Sequence, residues 1–181
     1  MSIFEPFEDA AEIDELAERL ADSDPSAAME LGDTSDPSAV PLLLKALADE
    51  AAEVRLQAAK SLEAYDGPDV AAGLAAALSD TDAAVAEASA VSLTELKDPE
   101  AAPALLPFTE NESAFVRAAT FRGMKELCNP VSLRSALAAI EDGDPTVRVQ
   151  AVGVIGYLKS DEALPALIVA TRDSATEVRR A

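Results

Sequence analysis

Residues 142–171 of this chain read DGDPTVRVQAVGVIGYLKSDEALPALIVAT, and the spacing of this segment recurs along most of the sequence. Its Val147-Arg148 pair has counterparts at positions 54–55, 85–86, 116–117 and 178–179, so neighbouring copies are 31 residues apart. A period of this length is typical of a solenoid, in which each unit is too small to bury its own apolar face and stacks on the next one. Function is therefore expected on the surface of the stack.

The sequence predicts an all-α protein, an α-solenoid (superhelix) of about five antiparallel helix pairs. No segment alternates apolar and polar residues for long enough to form a strand, and pairs such as Asp144-Pro145 suit the first positions of helices. The regular units are predicted at residues 36–66, 67–97, 98–128 and 129–159, with an incomplete unit at 160–181. Residues 1–35 are predicted to form an N-terminal arm over residues 1–8, whose Phe4 and Phe7 plug the first unit, and a degenerate capping helix pair that begins at Asp9.

The chain is strongly acidic, because 34 Asp and Glu residues against 14 Lys and Arg residues give its 181 residues a formal net charge of −20. This Asp-, Glu- and Ala-rich, Lys-poor composition resembles that of cytoplasmic proteins from extreme halophiles. Molar salt shortens the Debye length to about 3 Å and would screen the self-repulsion. The same charge would repel nucleic-acid phosphates, so no nucleic-acid partner is expected.

Neither a membrane location nor secretion is expected. The apolar runs fall far short of the roughly 20 residues of a membrane span, and the first residues lack the basic and apolar regions of a secretory signal. The single cysteine, Cys128, cannot form an internal disulfide, which agrees with a reducing, cytoplasmic compartment. We expect Cys128 to be an inert thiol at a junction between units.

The residue types that catalysis uses most are scarce. The chain has no histidine, which removes most catalytic triads and most zinc sites. Carboxylates lie close together by chance in so acidic a chain, so a nearby pair is weak evidence for an acid-base couple. The sequence therefore predicts a protein that is not an enzyme, with no catalytic residue, metal or cofactor.

Four arrangements, in which an acid or Asn111 precedes an arginine, carry a resemblance to a known family. Asp49 precedes Arg55 by six residues, and the same offset recurs at 111 and 117, at 142 and 148, and at 173 and 179. With the pattern Val-Arg-x-x-Ala and with Asp-Glu-Ala-Leu-Pro-Ala-Leu at 161–167, they resemble HEAT repeats of the short, phycobilin-lyase-like kind. The resemblance covers about residues 36–181.

The resemblance implies a ladder, in which each arginine joins acids of its own and the adjacent repeat. The six-residue offset further predicts that Arg117 and Arg148 are largely buried at their guanidinium ends. The predicted ladder comprises Asp49, Arg55, Asp80, Asn111, Arg117, Asp142, Arg148, Asp173 and Arg179. Two positions depart from the family pattern: Ala86 lacks the arginine and Asn111 lacks a charge. We expect a break in the ladder at Ala86.

The second helix of each unit is the candidate interaction surface, because HEAT arrays line their concave side with these helices. At 100° per residue, one set of positions on these helices faces away from the core. The candidate partner-binding residues are Lys60, Ala84, Ala88, Val91, Phe115, Ala119, Arg122 and Tyr157. Two interpretations stay open: small residues that allow tight curvature, with Phe115 packed sideways, or a groove that docks a peptide or helix.

The predicted function is a non-enzymatic scaffold or adaptor that binds a protein partner on its concave face. The alternative, implied by the repeat type, is a chromophore-lyase-like enzyme subunit. A bilin or haem would require more aromatic residues in the pocket and a reactive cysteine or histidine.

The incomplete last unit leads to a further expectation. It stops three residues after Val178, so Leu164, Leu167 and Ile168 are expected to form an exposed apolar edge. A longer array, another copy of the chain or a partner would cover this edge.

The charge predicts a dependence of stability on salt. The melting temperature should rise steeply between dilute buffer and about 1–3 M KCl, because the ions screen repulsion among the carboxylates. Thermal unfolding followed by circular dichroism measures this rise. A melting temperature that stays constant across the series would contradict the halophile interpretation.

Overall fold

The computed structural model describes residues 6–181, which form helices and no strand. The helices are α1 (Pro6–Ala21), α2 (Pro25–Asp33), α3 (Ala39–Ala46), α4 (Ala52–Ser61), α5 (Pro68–Ala77), α6 (Ala83–Ser92), α7 (Ala102–Leu105), α8 (Ala114–Leu127), α9 (Leu133–Ala139), α10 (Pro145–Leu158), α11 (Leu164–Ala170) and α12 (Thr176–Arg180). Short 3-10 turns extend several of them. The predicted all-α solenoid is confirmed. The capping pair is α1 with α2, and five more pairs follow.

The N-terminal prediction differs from the structure in one respect. Residues 6–8 were expected in the arm, whereas α1 already begins at Pro6, because proline suits the first turn of a helix. The expected packing of Phe4 and Phe7 lies outside what the structure describes.

Aspartate side chains cap the beginnings of α2, α6 and α10. The Asp24 carboxylate accepts a hydrogen bond from the Ser26 N–H at 2.9 Å, and the Asp144 carboxylate accepts one from the Thr146 N–H at 2.7 Å. Asp24 and Asp144 each precede a proline at the first helical position, where the missing N–H costs no hydrogen bond. These Asp-Pro pairs therefore mark the beginnings of helices, as the sequence predicts.

The core is a ribbon that follows the stack. The valine of each repeat, at positions 54, 85, 116, 147 and 178, is buried, and so is the residue eight positions later in the four units that contain one. Fully buried large side chains include Leu31, Leu43, Leu62, Leu74, Leu93, Leu105, Phe121, Met124, Leu127 and Ile155. One continuous apolar cluster runs from Ile13 to Ala166, and a small cluster of Val152, Ala170 and Val178 closes the C-terminal end.

The second helices of the pairs stack as one layer. Apart from α6 with α8, successive second helices contact each other more extensively than successive first helices do. The stack therefore curves toward the second helices, and we call the solvent-facing side of α2, α4, α6, α8 and α10 the concave surface. Within residues 6–181, none of the helices combines the length and the apolarity needed to cross a membrane.

Gly32 allows a close approach between α2 and α4. A Cβ atom at this position would lie 2.7 Å from the Cβ of Ser61 and 3.1 Å from its Cα. Such distances are too short for carbon atoms, and the Ser61 backbone belongs to a packed helix, so it cannot move aside easily.

We expect Gly32→Ala to destabilise the protein by about 1–3 kcal/mol, because the added methyl group pushes α2 away from α4. Gly156→Ala is the matched control, since Gly156 lies within α10 and a Cβ there meets nothing within 4 Å. That variant should be unchanged or up to about 1 kcal/mol more stable. Chemical denaturation in molar KCl measures both, and equal effects of the two substitutions would contradict the close-approach explanation.

Candidate interaction surfaces

Three arginines of the predicted ladder each form a link of the same geometry between two adjacent units, and we call each link a rung. Arg117 shows the geometry: its Nε and Nη2 atoms donate to the two carboxylate oxygens of Asp142, each at 2.8 Å. Its Nη1 atom donates to the backbone carbonyls of Asn111 at 2.7 Å and Glu112 at 3.0 Å. One guanidinium therefore joins the turn of its own unit to the carboxylate of the next unit.

The same contacts recur at the other two rungs. Arg55 pairs with Asp80 and Arg148 pairs with Asp173, in each case across 25 residues with both carboxylate oxygens engaged. The paired side chains are largely shielded from solvent, with 9–16% of their surface exposed. Bidentate arginine-carboxylate pairs are among the stronger charged hydrogen bonds, and their planar geometry fixes orientation as well as distance.

Each ladder aspartate also caps the turn in which it lies. The Asp142 carboxylate accepts the Asp144 N–H at 2.8 Å, and the Asp173 carboxylate accepts the Ala175 N–H at 2.8 Å. The guanidinium of Arg117 holds the pKa of Asp142 below its usual range, and Arg148 lowers that of Asp173 to about 2. The carboxylates are therefore charged wherever the rungs are intact.

The expected pairing of each arginine with the acid of its own repeat is wrong. Arg55 reaches the backbone carbonyl of Asp49 at 2.8 Å, while the Asp49 carboxylate accepts the hydroxyl of Ser23 in the capping pair. The reason is the capping bond, which turns each carboxylate toward the preceding unit and leaves only the carbonyl facing its own arginine.

The break in the ladder removes both partners of one rung. The arginine that would reach position 111 belongs at position 86, where the chain has the buried Ala86. Asn111 keeps the capping bond, because its side-chain oxygen accepts the Ser113 N–H at 2.9 Å, but it carries no charge that would need an arginine. The two departures are thus complementary, and the 25-residue offset would have revealed this from the sequence. Helices α6 and α8, on either side of the break, are packed less closely than their neighbours.

Arg179 has half of a rung. Its Nη1 atom donates to the carbonyls of Asp173 at 2.7 Å and Ser174 at 2.9 Å, as in the complete rungs, while Nη2 donates to the Thr176 hydroxyl. Among the described residues, no carboxylate pairs with Arg179. Its side chain therefore makes the contacts of a complete rung to its own turn, while the side of the guanidinium that would face a next unit has no carboxylate.

The concave surface exposes large apolar side chains. Val91, Phe115 and Tyr157 are 53%, 45% and 56% exposed. Lys60 and Ala84 are also exposed and Ala88 is half-buried. Ala119 is only 5% exposed, so it contributes little to the accessible part of this surface, on a helix that packs closely against α10.

A hollow lies between α8 and α10 on this surface. It encloses about 120 Å³ and is lined by Phe115, Ala118, Ala119, Arg122, Thr146 and Gln150. Ala119 therefore forms part of its wall. The hollow brings together Phe115 and Arg122, which the sequence predicted, with the polar Thr146 and Gln150.

Lys125 belongs to the concave surface, although the sequence analysis did not single it out. Its ammonium group lies 5.5 Å from the centre of the Tyr157 ring and 3.0 Å from the Glu126 carboxylate. A Cβ atom on Gly153 would lie 3.3 Å from the Lys125 side chain. The glycine at position 153, four residues before Tyr157, was the sequence signal that a side chain from the adjacent helix crosses α10 here.

Cys128 is exposed at the end of α8, in a left-handed conformation with φ of 49°. Its thiol lies 3.8 Å from the Tyr157 carbonyl oxygen, to which it donates. The part of the chain that the structure covers contains no cluster of His, Cys, Asp or Glu arranged to hold a metal ion.

Comparison with known proteins identifies the repeats. The family model for HEAT repeats matches residues 13–94, 71–139 and 133–181. The chain belongs to the HEAT repeat family. The resemblance predicted from the acid-arginine arrangements is therefore confirmed, and the match extends into the capping pair. No curated protein matches this HEAT-repeat chain.

Solved structures resemble this HEAT-repeat protein in fold. A designed armadillo repeat protein in complex with the peptide (KR)4 gives a TM-score of 0.56 at 15% identity, over 94% of each chain. A designed armadillo repeat protein for modular peptide recognition gives 0.53 at 16% identity, over 92% of this chain and 94% of the other. The complex of CpcE and CpcF of phycocyanin lyase from Nostoc sp. PCC7120 gives 0.53 at 23% identity, over 86% of this chain and 67% of the other.

The lowered pKa of Asp173 predicts an acid-sensitive contribution to stability. Its pKa is about 2 in the folded protein and about 3.9 in the unfolded chain. Because the folded value is the lower one, the stabilisation is fully present above about pH 4 and is lost as the pH falls toward 2. Asp173→Asn lacks this contribution, so it should lose less stability than the parent between about pH 5 and pH 2.5.

Thermal unfolding at both pH values in molar KCl measures the difference. Asp161→Asn is the control, because it removes an exposed aspartate from the same unit, and it should follow the parent. An Asp173→Asn variant with the acid sensitivity of the parent would show that the rung does not stabilise the fold.

Proposed function

We propose that this protein is a non-enzymatic scaffold that binds a protein partner along its concave surface. The observation that carries the proposal is the exposure of Val91, Phe115 and Tyr157 on one side of an otherwise strongly acidic molecule. Aromatic and arginine side chains supply most of the energy at protein interfaces, and contiguous exposed apolar groups mark such interfaces. Phe115, Tyr157 and Arg122 are side chains of this kind.

The structural neighbours support the proposal by analogy. Two designed armadillo repeat proteins of similar fold are described as recognising peptides, one of them the basic peptide (KR)4. A curved stack presents one long surface on which an extended segment contacts several units in turn. We propose a partner segment that lies across α6, α8 and α10.

The remaining properties follow from composition. The net charge of −20 disfavours nucleic acid as a partner. We propose a cytoplasmic location, because a lone cysteine suits a reducing compartment, and adaptation to high salt. The likeness to phycocyanin lyase at 23% identity concerns the fold, so it does not favour the chromophore-lyase alternative.

Selection from a random library of displayed 12-residue peptides tests the concave surface. We expect peptides that bind the parent to lose about 30-fold or more in affinity for Phe115→Glu, because the substitution places a charge at the centre of the apolar contact. Val131→Glu is the matched control, since Val131 is exposed outside the second-helix layer, and it should bind as the parent does. Equal binding to both variants, or the absence of any binder, would contradict the proposal.

We also propose that a second copy of the chain covers the C-terminal edge. Leu164 and Ile168 are 54% and 57% exposed, whereas Leu133 and Leu137, the equivalent residues one unit earlier, are half-buried. Arg179 adds a guanidinium that lacks a carboxylate. The acidic capping pair, which carries Asp22 exposed in its turn, offers such carboxylates in a head-to-tail arrangement.

Light scattering over a range of protein concentrations in molar KCl tests this arrangement. The parent should associate, and Ile168→Glu should shift the association to higher concentration, because it places a charge in the apolar contact. The control is again Val131→Glu, which should associate as the parent does. A monomeric parent at every concentration would remove the proposal.

A further inference from the structure

Arg122 differs from the other shielded arginines of this protein. Arg19, Arg55, Arg117 and Arg148 each form two or more hydrogen bonds with carboxylates. Arg122 is half-buried on α8 and forms no ion pair with any of the side chains that the structure describes, residues 12–181, although the chain contains 34 acids. In a protein with so many carboxylates, an unpaired guanidinium on the concave surface is an exception.

The hydrogen bonds of Arg122 are incomplete. Its Nη2 atom donates to the Ala90 carbonyl of α6 at 2.9 Å, across the break in the ladder. Its Nε atom is buried and has no hydrogen-bond partner among the described residues. A buried donor without an acceptor is costly, so a small rotation that gave Nε an acceptor would be favourable.

The hollow beside Arg122 has the chemistry of a carboxylate site. The side chains around it offer a guanidinium, the hydroxyl of Thr146 and the amide of Gln150, while Phe115 and Ala118 are apolar. Its volume of about 120 Å³ corresponds to about four water molecules, which is enough for one carboxylate and its methylene group. None of the six lining residues is acidic.

We propose that this hollow receives an aspartate or glutamate side chain of the partner, and that an apolar residue next to it packs on Phe115. The inference rests on the proposed function, and it names the chemistry of the partner: a segment in which a carboxylate adjoins an apolar side chain. The carboxylate accepts hydrogen bonds from the guanidinium of Arg122, as the ladder aspartates do from their arginines. The charge of Arg122 complements an acidic segment at this point, whereas a basic segment would face it with a like charge.

The peptides selected on the parent provide the test. We expect them to share an Asp or Glu beside a Leu, Ile, Val or aromatic residue. Fluorescence anisotropy then compares each peptide with its amide version, in which that Asp becomes Asn or that Glu becomes Gln. The amide should bind the parent about 10-fold more weakly or worse, because it lacks the negative charge and keeps only one of the two acceptor oxygens.

The protein variants assign this loss to Arg122. With Arg122→Gln, the acid and amide peptides should bind with equal affinity. The control Arg134→Gln removes an exposed arginine of α9 that forms no ion pair in the described part of the chain, and it should discriminate as the parent does. The comparison of acid with amide peptide on the parent requires no variant, so the test stands even if Arg122→Gln fails to fold.

The outcomes separate the two proposals. Peptides rich in Lys and Arg, equal affinity of acid and amide peptides for the parent, or discrimination that survives in Arg122→Gln would each overturn this inference. If such peptides still lose affinity for Phe115→Glu, the concave surface remains the binding site and only the chemistry of the partner is wrong. If no peptide binds, both proposals are removed.

Discussion

The structure depends on a guanidinium that holds two units in register. Each complete rung ties the carbonyls of one turn to the carboxylate of the next turn through one arginine, as Arg117 does with Asn111 and Asp142. Apolar packing between helices allows small sliding movements, whereas a bidentate pair fixes distance and angle together. The apolar ribbon therefore supplies most of the cohesion, and the rungs specify the step from one unit to the next. Because the rungs are charged, they fix the step between units only at pH values at which the aspartates are ionised.

The missing rung lies at the junction between α6 and α8, which adjoins the junction between α8 and α10 that holds the hollow. Ala86 and Asn111 leave α6 and α8 without the arginine link, and the two helices are less closely packed there. Arg122 crosses this junction instead, through its single hydrogen bond to Ala90. The exposed Val91 and Phe115 lie on the two sides of that junction.

Periodicity made the fold predictable. The spacing of valines and acid-arginine pairs reports which residues face the core, since each unit repeats the same burial, so the buried positions at 62, 93, 124 and 155 follow directly. The direction in which a side chain points was harder to predict. The six-residue offset indicated that acid and arginine share a turn, but the capping bond of the aspartate, which turns its carboxylate to the preceding unit, becomes apparent only in three dimensions. The burial of Ala119 and the crossing of Lys125 over α10 depend on packing between units in the same way.

The coupling between Arg117 and Asp142 is the most direct measure of this account. Free energies of unfolding of the parent, Arg117→Ala, Asp142→Asn and the double variant, obtained by chemical denaturation in molar KCl, give the interaction energy of the rung. We expect a favourable coupling of about 1–3 kcal/mol, between the values of exposed and buried ion pairs. Additive effects of the two substitutions, within about 0.3 kcal/mol, would show that the arginine does not link adjacent units.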